Sequence, residues 1–239
     1  MIAIPMLIAP FRALLGFRSD QHRSVFGWRR VPFIWSGTML QFCGLTILPF
    51  ALIQLSQFAN APKVLGYTAV GLACLLAGAG AYLTQTAGLA LATDLATERT
   101  RPRVVGLLYL FLLIGTVFYS FVFGWLLRDF STVRLVQVIQ GSAVLTITLN
   151  AIAIWKQEPQ VRDRFRPGET APLFRDAWAR LRAERKAMRL LVGVGLGAFA
   201  FNLQDLLLEP YGGEILRLSV GSTTVLTAMM ALGGLAAMG

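Results

Sequence analysis

Long apolar blocks alternate with polar loops along the whole chain. Blocks of mostly hydrophobic residues lie at about 1–17, 31–55, 65–92, 104–127, 134–155 and 189–208, and another begins near Val220. A helix needs roughly 20 apolar residues to cross the hydrocarbon core of a bilayer, so each of the longer blocks is a candidate crossing. The pattern predicts an all-α, polytopic transmembrane helix bundle with about five complete and two partial crossings.

The loops between the blocks alternate in positive charge. Loops 18–30, 94–103 and 156–189 carry four, three and ten Lys or Arg residues, whereas the intervening loops carry one or two. Loops rich in Lys and Arg stay on the cytoplasmic side of a membrane. We therefore expect the basic loops to be cytoplasmic.

The chain divides into three segments. Residues 1–155 are expected to form part of an N-terminal transmembrane half, 156–188 a basic central loop, and 189–239 the start of a C-terminal half. The first block is too short for a full crossing and the last is unfinished, so we expect a truncated part of a longer protein.

Part of the central loop has the pattern of an amphipathic helix. Its apolar residues fall roughly on one side: Leu173, Phe174, Ala177, Trp178, Leu181 and Met188. A basic helix of this kind suits an anionic membrane surface. The alternative is a connector whose apolar side packs on the bundle, and the pattern leaves both open.

Small residues within two blocks predict close helix contacts. The third block is rich in glycine and alanine, including Gly80 and Gly88, and the sixth contains a G-x-x-x-G pattern at Gly193 and Gly197. Small side chains let membrane helices approach closely. Helix packing is therefore the expected role of these glycines.

Composition excludes other classes of protein. Hydrophobic residues make up 56% of the chain and charged residues 14%, whereas a soluble domain is about a quarter charged. The net charge of +10 could indicate a protein that binds nucleic acid, but the sequence shows no basic face interleaved with aromatic residues. We expect the lipid bilayer as a partner and no nucleic acid. The two cysteines lie in apolar blocks, and neither a disulfide nor a metal site is expected.

The first basic loop carries the most informative motif. Gly16 and Asp20 are followed by Gly27, Arg29 and Arg30. This order resembles the signature loop between the second and third helices of the major facilitator superfamily. The resemblance implies a fold of that type and a conformational latch formed by these residues. The alternative is a basic loop that only sets the orientation of the helices.

A more specific resemblance extends over the whole chain. It rests on four segments: APFRALLGFRSDQHRSVFGWRRVPFIW, TQTAGLALATDLATERTRPRVVGLLYL, RLVQVIQGSAVLTITLNAIAIWKQE and FNLQDLLLEPYGGEILRLSVGSTTVLTA. They resemble the PucC/LhaA family, the light-harvesting complex assembly proteins of photosynthetic bacteria. The resemblance implies an assembly factor of the intracytoplasmic photosynthetic membrane. It also implies bacteriochlorophyll and antenna polypeptides as partners, with the pigment bound by the protein or delivered to the polypeptides.

A polar face in the sixth block is the candidate pigment site. Asn202, Asp205 and Glu209 fall on one side of a helix, and ionisable groups at membrane depth are usually functional. Their oxygens suit the magnesium of a chlorophyll, which is a hard cation. Antenna pigments are usually held by a histidine in the membrane, whereas the only histidine of this chain, His22, lies in a loop. We therefore expect transient binding and no tightly bound cofactor. The alternatives are an interfacial Glu209 and a structural ion pair of Asp205.

Two other functions compete with assembly. A small-solute transporter of the major facilitator type would place charged groups near the membrane midplane. The first half offers mainly Arg12, Gln41, Gln85 and Asn150, which disfavours a proton-coupled carrier. An enzyme is the third class, because relatives are labelled as bacteriochlorophyll synthase subunits. An enzyme of that kind would need acidic clusters to hold a magnesium diphosphate, and the chain offers only the pair Asn202 and Asp205. It also has no phosphate-binding loop or catalytic triad. We therefore expect no catalysis.

Overall fold

The computed structural model describes residues 12–21, 28–57, 63–129, 131–158 and 174–238, whose regular structure is entirely helical. The helices follow one another in the order α1 (Arg12–Gln21), α2 (Val31–Gln57), α3 (Lys63–Leu95), α4 (Arg101–Leu126), α5 (Thr132–Ala153), α6 (Phe174–Ala183), α7 (Arg185–Glu214) and α8 (Val220–Met238).

Five of these helices are long and apolar enough to cross a membrane: α2, α3, α4, α5 and α7. They coincide with the five complete crossings that the apolar blocks predict, and the all-α polytopic bundle is confirmed. The large apolar side chains of α4 point outward. Phe111, Phe118 and Trp125 are 61%, 70% and 72% exposed, as expected of a helix whose surroundings are lipid.

The closest helix pair is α2 with α3, and glycines make it close. A Cβ atom added at Gly80 would collide with the backbone of Gly37 and Gln41. The same addition at Gly44 would collide with the backbone of α3 at Ala77. Gly80 therefore makes the contact that the small residues of the third block predict. Gly88, on the same helix, faces open space.

Polar contacts inside the bundle connect two further helix pairs. The Asn150 amide of α5 donates a hydrogen bond of 3.0 Å to the hydroxyl of Thr38 on α2. The Thr38 side chain is fully buried. On α1, the Arg12 guanidinium lies 4.8 Å from the centre of the Tyr82 ring, and its Nε donates to the Thr86 hydroxyl over 3.3 Å. These bonds supply partners for polar groups that would be costly to bury alone.

Two helices extend further than the apolar pattern predicts. The loop expected from residue 18 begins later, because α1 continues to Gln21. Helix α7, expected to end near residue 208 before a turn, runs on to Glu214 through Pro210. Membrane helices tolerate proline where neighbouring groups compensate. Gly212 is buried against α8, where an added Cβ would lie 3.0 Å from Leu226, and this packing keeps the last turns helical.

The amphipathic helix is shorter than expected. Helix α6 ends at Ala183, Glu184 has extended backbone, and Met188 belongs to α7. The Phe174 ring meets the Phe17 ring of α1 edge to face at 5.4 Å and stacks on Trp178 at 6.3 Å. This contact favours packing on the bundle over free contact with the membrane surface.

The G-x-x-x-G pattern of α7 does not form the helix contact expected of it within the described part of the chain. A Cβ atom at Gly193 or Gly197 would meet nothing within 4 Å. Helix α8 instead packs along α4, where Leu113 contacts Gly234. The contact of α7 with α8 lies elsewhere, around Gly212 and at the 3.7 Å contact between Gln204 and the Met230 sulfur.

Candidate functional site

The basic loops gather at one end of the bundle, which we call the basic side. Arg101, at the start of α4, donates a hydrogen bond to the backbone carbonyl of Thr93 near the end of α3. The Phe17–Phe174 contact brings α6 to the same end. Strongly and weakly basic loops alternate along the sequence, and the strongly basic ones lie together at one end of the bundle.

Four polar residues from four elements meet on the basic side. They are Ser19 near the end of α1, Arg30 just before α2, Asp94 near the end of α3, and Glu158 after α5. We call them the basic-side cluster. Polar residues that flank four helices thus come together at this end of the bundle.

Arg30 is the centre of this cluster. Its side chain is 6% exposed and forms a salt bridge of 3.0 Å with Asp94, whose side chain is 48% exposed. The Arg30 Nε and Nη2 both donate to the same carboxylate oxygen of Asp94, over 3.1 and 3.0 Å. Its Nη1 donates over 2.7 Å to the hydroxyl of Ser19, and that hydroxyl donates to the carbonyl of Gly16. The guanidinium thus joins the ends of α1 and α3 to the start of α2.

Glu158 binds the start of α2 by a different route. Its carboxylate accepts hydrogen bonds from the backbone N–H groups of Arg29, Arg30 and Val31, over 2.8 to 3.0 Å. These groups have no partner within the helix, and the helix dipole makes this end partly positive. An anionic side chain more than 120 residues along the chain therefore caps α2, and it holds the end of α5 there as well.

The loop motif locates part of this cluster but misses its acids. Arg30 is in the cluster, the side chain of Arg29 is exposed, and Gly16 supplies a carbonyl acceptor. Gly27 and the side chain of Asp20 lie outside the described residues. The sequence argument missed Asp94 and Glu158 because it counted only Lys and Arg in the loops. Asp94 is the one acidic residue of α3, and this signal could have identified it.

The described partners of Arg30 lie in the N-terminal transmembrane half or, for Glu158, at the start of the central loop. Ser19, Asp94 and Glu158 join α1, α2, α3 and the end of α5. Such a cluster can hold these four helix ends as one unit. A latch between the two transmembrane halves remains a prediction.

The polar face of the sixth block lies on α7, away from the basic-side cluster. Asn202 is exposed, and its amide donates over 2.7 Å to the carbonyl of Ala198 on its own helix. Gln204, on another side of α7, contacts α8. Gly212, seven residues after position 205 and therefore on nearly the same side of the helix, is also buried against α8. The side chains of Asp205 and Glu209 lie outside the described residues.

The depth of this face follows from the length of α7. With 30 residues, α7 is about 45 Å long, compared with a hydrocarbon core of about 30 Å. Asn202 lies near its midpoint, and position 205 lies about one turn further from the basic side. Position 209 is about two turns from Asn202. A bilayer centred on α7 would place Asn202 and position 205 within its hydrocarbon core and position 209 near its border.

A metal site built from several side chains is not found in the part of the chain that the structure describes. No three His, Cys, Asp or Glu residues come together there in a way that could hold a metal ion. A single oxygen ligand to a pigment magnesium needs no such cluster, so the hypothesis for the α7 face is independent of this observation.

Comparison with known proteins identifies the family. The model of the family described as PUCC protein matches residues 1–239. The chain is 52% identical to the "Protein PucC" of Rhodobacter capsulatus, over 100% of this chain and 53% of that protein. It is 50% identical to the "Protein PucC" of Rhodovulum sulfidophilum, over 98% of this chain and 53% of that protein.

A more distant relative carries a different name. The "Bacteriochlorophyll synthase 44.5 kDa chain" of Rhodobacter capsulatus is 28% identical over 77% of this chain and 44% of its own length. No solved structure matches the chain. The chain spans about half the length of the curated PucC relatives it matches. It belongs to the PUCC protein family.

Proposed function

We propose that this protein is an assembly factor for bacterial light-harvesting antenna complexes, which binds bacteriochlorophyll or delivers it to antenna polypeptides in the membrane. The observation that carries the proposal is the family match over all 239 residues, with about 50% identity to proteins named PucC. The family names and the helical membrane architecture point to an assembly protein rather than an enzyme. The relatives named above give no support to a small-solute transporter.

The α7 face is the proposed contact with the pigment. Its support is the location of positions 202 and 205 near the middle of α7 and the exposure of Asn202. A carboxylate or amide oxygen is a suitable ligand for magnesium. Oxygen ligands of this kind bind more weakly than an intramembrane histidine, and weak binding suits a protein that passes its pigment on.

Full-length protein carrying both Asp205→Asn and Glu209→Gln should lose co-purifying bacteriochlorophyll several-fold. The reason is that both substitutions remove the anionic oxygen. The measurement is the absorbance of bacteriochlorophyll per protein after purification in mild detergent from pigment-producing cells. The control is Asp129→Asn, which also removes one carboxylate, but from an exposed loop. Wild-type pigment content in the double variant would exclude pigment binding by the anionic oxygens of these two side chains. A colourless wild-type protein that transports a solute in liposomes would contradict the proposed function.

We also propose that the basic side faces the cytoplasm and that the protein lies in the inner, photosynthetic membrane of a bacterium. Reporter domains inserted after Arg29 and after Arg180 should both be cytoplasmic, because both positions lie in strongly basic loops. The control insertion after Asp129 should report the opposite side. Opposite locations for Arg29 and Arg180 would contradict the whole crossing pattern. The measurement is the activity of a reporter that is active in only one compartment.

A further inference from the structure

A groove lined by tryptophan lies between the start of α2 and the end of α5, on the basic side. It has a volume of about 780 Å³, and its walls include Trp28, Val31, Trp35, Ile154, Trp155, Lys156 and Glu158. We call it the tryptophan groove. Trp35 is 42% exposed and Trp155 72% exposed. Large aromatic surfaces are therefore accessible from outside the bundle.

The groove lies across the border of the membrane. The apolar span of α2 begins at Val31, and helix α5 ends at Ala153. Trp35 lies one turn inside the span, whereas Lys156 lies beyond the end of α5. Tryptophan is enriched at this depth because its ring is amphipathic. The lower part of the groove, around Trp35, thus faces acyl chains. Its upper part, around Lys156, faces the head groups of the lipids.

Lys156 is the cation at the upper end of the groove. It has left-handed backbone, with a φ of 54°, a conformation in which glycine or asparagine is favoured after a helix. Lys156 is exposed and forms no ion pair with the residues that the structure describes. The neighbouring carboxylate of Glu158 is engaged by the start of α2.

We propose that the tryptophan groove is a binding site for an anionic phospholipid, with an acyl chain against Trp35 and Ile154 and the phosphate group beside Lys156. Charge complementarity favours this occupant. The loop that begins at Lys156 carries ten Lys or Arg residues, and basic pockets between membrane helices bind anionic head groups. A zwitterionic lipid would add its own cation to this surface. The site does not involve α7, and it is independent of pigment binding.

The test is native mass spectrometry of the full-length protein with equal amounts of phosphatidylglycerol and phosphatidylcholine. Wild-type protein should retain phosphatidylglycerol in preference by about fivefold, the contribution of one lysine near an anionic lipid. Lys156→Gln should abolish this preference and Lys156→Arg should preserve it. Trp155→Leu should reduce the retention of both lipids, since it replaces a large aromatic surface of the groove with a smaller side chain.

Matched controls separate this site from the general positive charge of the protein. Lys63→Gln removes a lysine from the start of α3, at the other end of the bundle, and should leave the preference unchanged. Equal retention of the two lipids by the wild type, or an unchanged preference in Lys156→Gln, would overturn the proposal. Retention of glycerol phosphate as strongly as of phosphatidylglycerol would also overturn it, because it would indicate a phosphate site without a lipid.

Discussion

Substitution of Gly80 by alanine should lower the free energy of unfolding by about 3 kcal/mol, at the upper end of the usual range for overpacked sites. The added Cβ atom would collide with the backbone of Gly37 and Gln41. A backbone cannot rotate away as a side chain can, so α2 and α3 must move apart along their length. The separation would also weaken the contact of α2 with α5. This contact includes the Asn150–Thr38 hydrogen bond.

The matched control for this prediction is Gly88→Ala on the same helix. An added Cβ atom there meets nothing within 4 Å, so the substitution should stabilise the protein by up to about 1 kcal/mol, because alanine is the better helix former. The measurement is unfolding by denaturant in mixed micelles, followed by tryptophan fluorescence. Equal stability of the two variants would contradict the close packing of α2 on α3.

Substitution of Arg30 by glutamine should destabilise the protein by about 2 kcal/mol. Loss of a fully buried ion pair costs about 3–5 kcal/mol, and the effect here is smaller because Asp94 is 48% exposed and remains solvated. The variant also removes the donor to the buried hydroxyl of Ser19. A double-mutant cycle with Asp94→Asn should give a coupling energy of about 1–2 kcal/mol.

An exposed ion pair provides the control for Arg30. Arg134 and Asp129 lie 3.5 Å apart with side chains 45% and 89% exposed, and such pairs contribute about 0–1 kcal/mol. Arg134→Gln should therefore have little effect in the same unfolding experiment. A destabilisation by Arg30→Gln no larger than that by Arg134→Gln would mean that the basic-side cluster does not hold the helix ends together.

The crossings could be predicted from the sequence because each depends only on its own residues. A stretch such as α4 is apolar enough to span the membrane whatever packs beside it. The predicted positions of the helix ends were less accurate. Helix α1 reaches Gln21 and α7 reaches Glu214, in each case where residues distant in sequence pack against the last turns. Local pattern carries no information about such contacts.

The candidate site shows the same division. The loop motif identified Arg30, but its partners lie 64 and 128 residues away, and the charge count treated their loops only as carriers of Lys and Arg. The same reasoning applies to glycine. Gly80 and Gly88 look alike in sequence, and only the neighbouring helix distinguishes them. The pigment-binding role of the α7 face remains a prediction, because Asn202 is the one side chain of the three that the structure describes.

The capping of α2 by Glu158 has a mechanical consequence. Glu158 lies near the start of the long basic segment, and its carboxylate binds three successive backbone N–H groups. Any tension applied to that segment by a partner would act first on this attachment. The attachment would transmit the force to α2 and, through their tight contact, to α3. Detachment of the carboxylate would release the segment and leave the amide groups to water, so the junction couples traction on the loop to the hydration of a helix end.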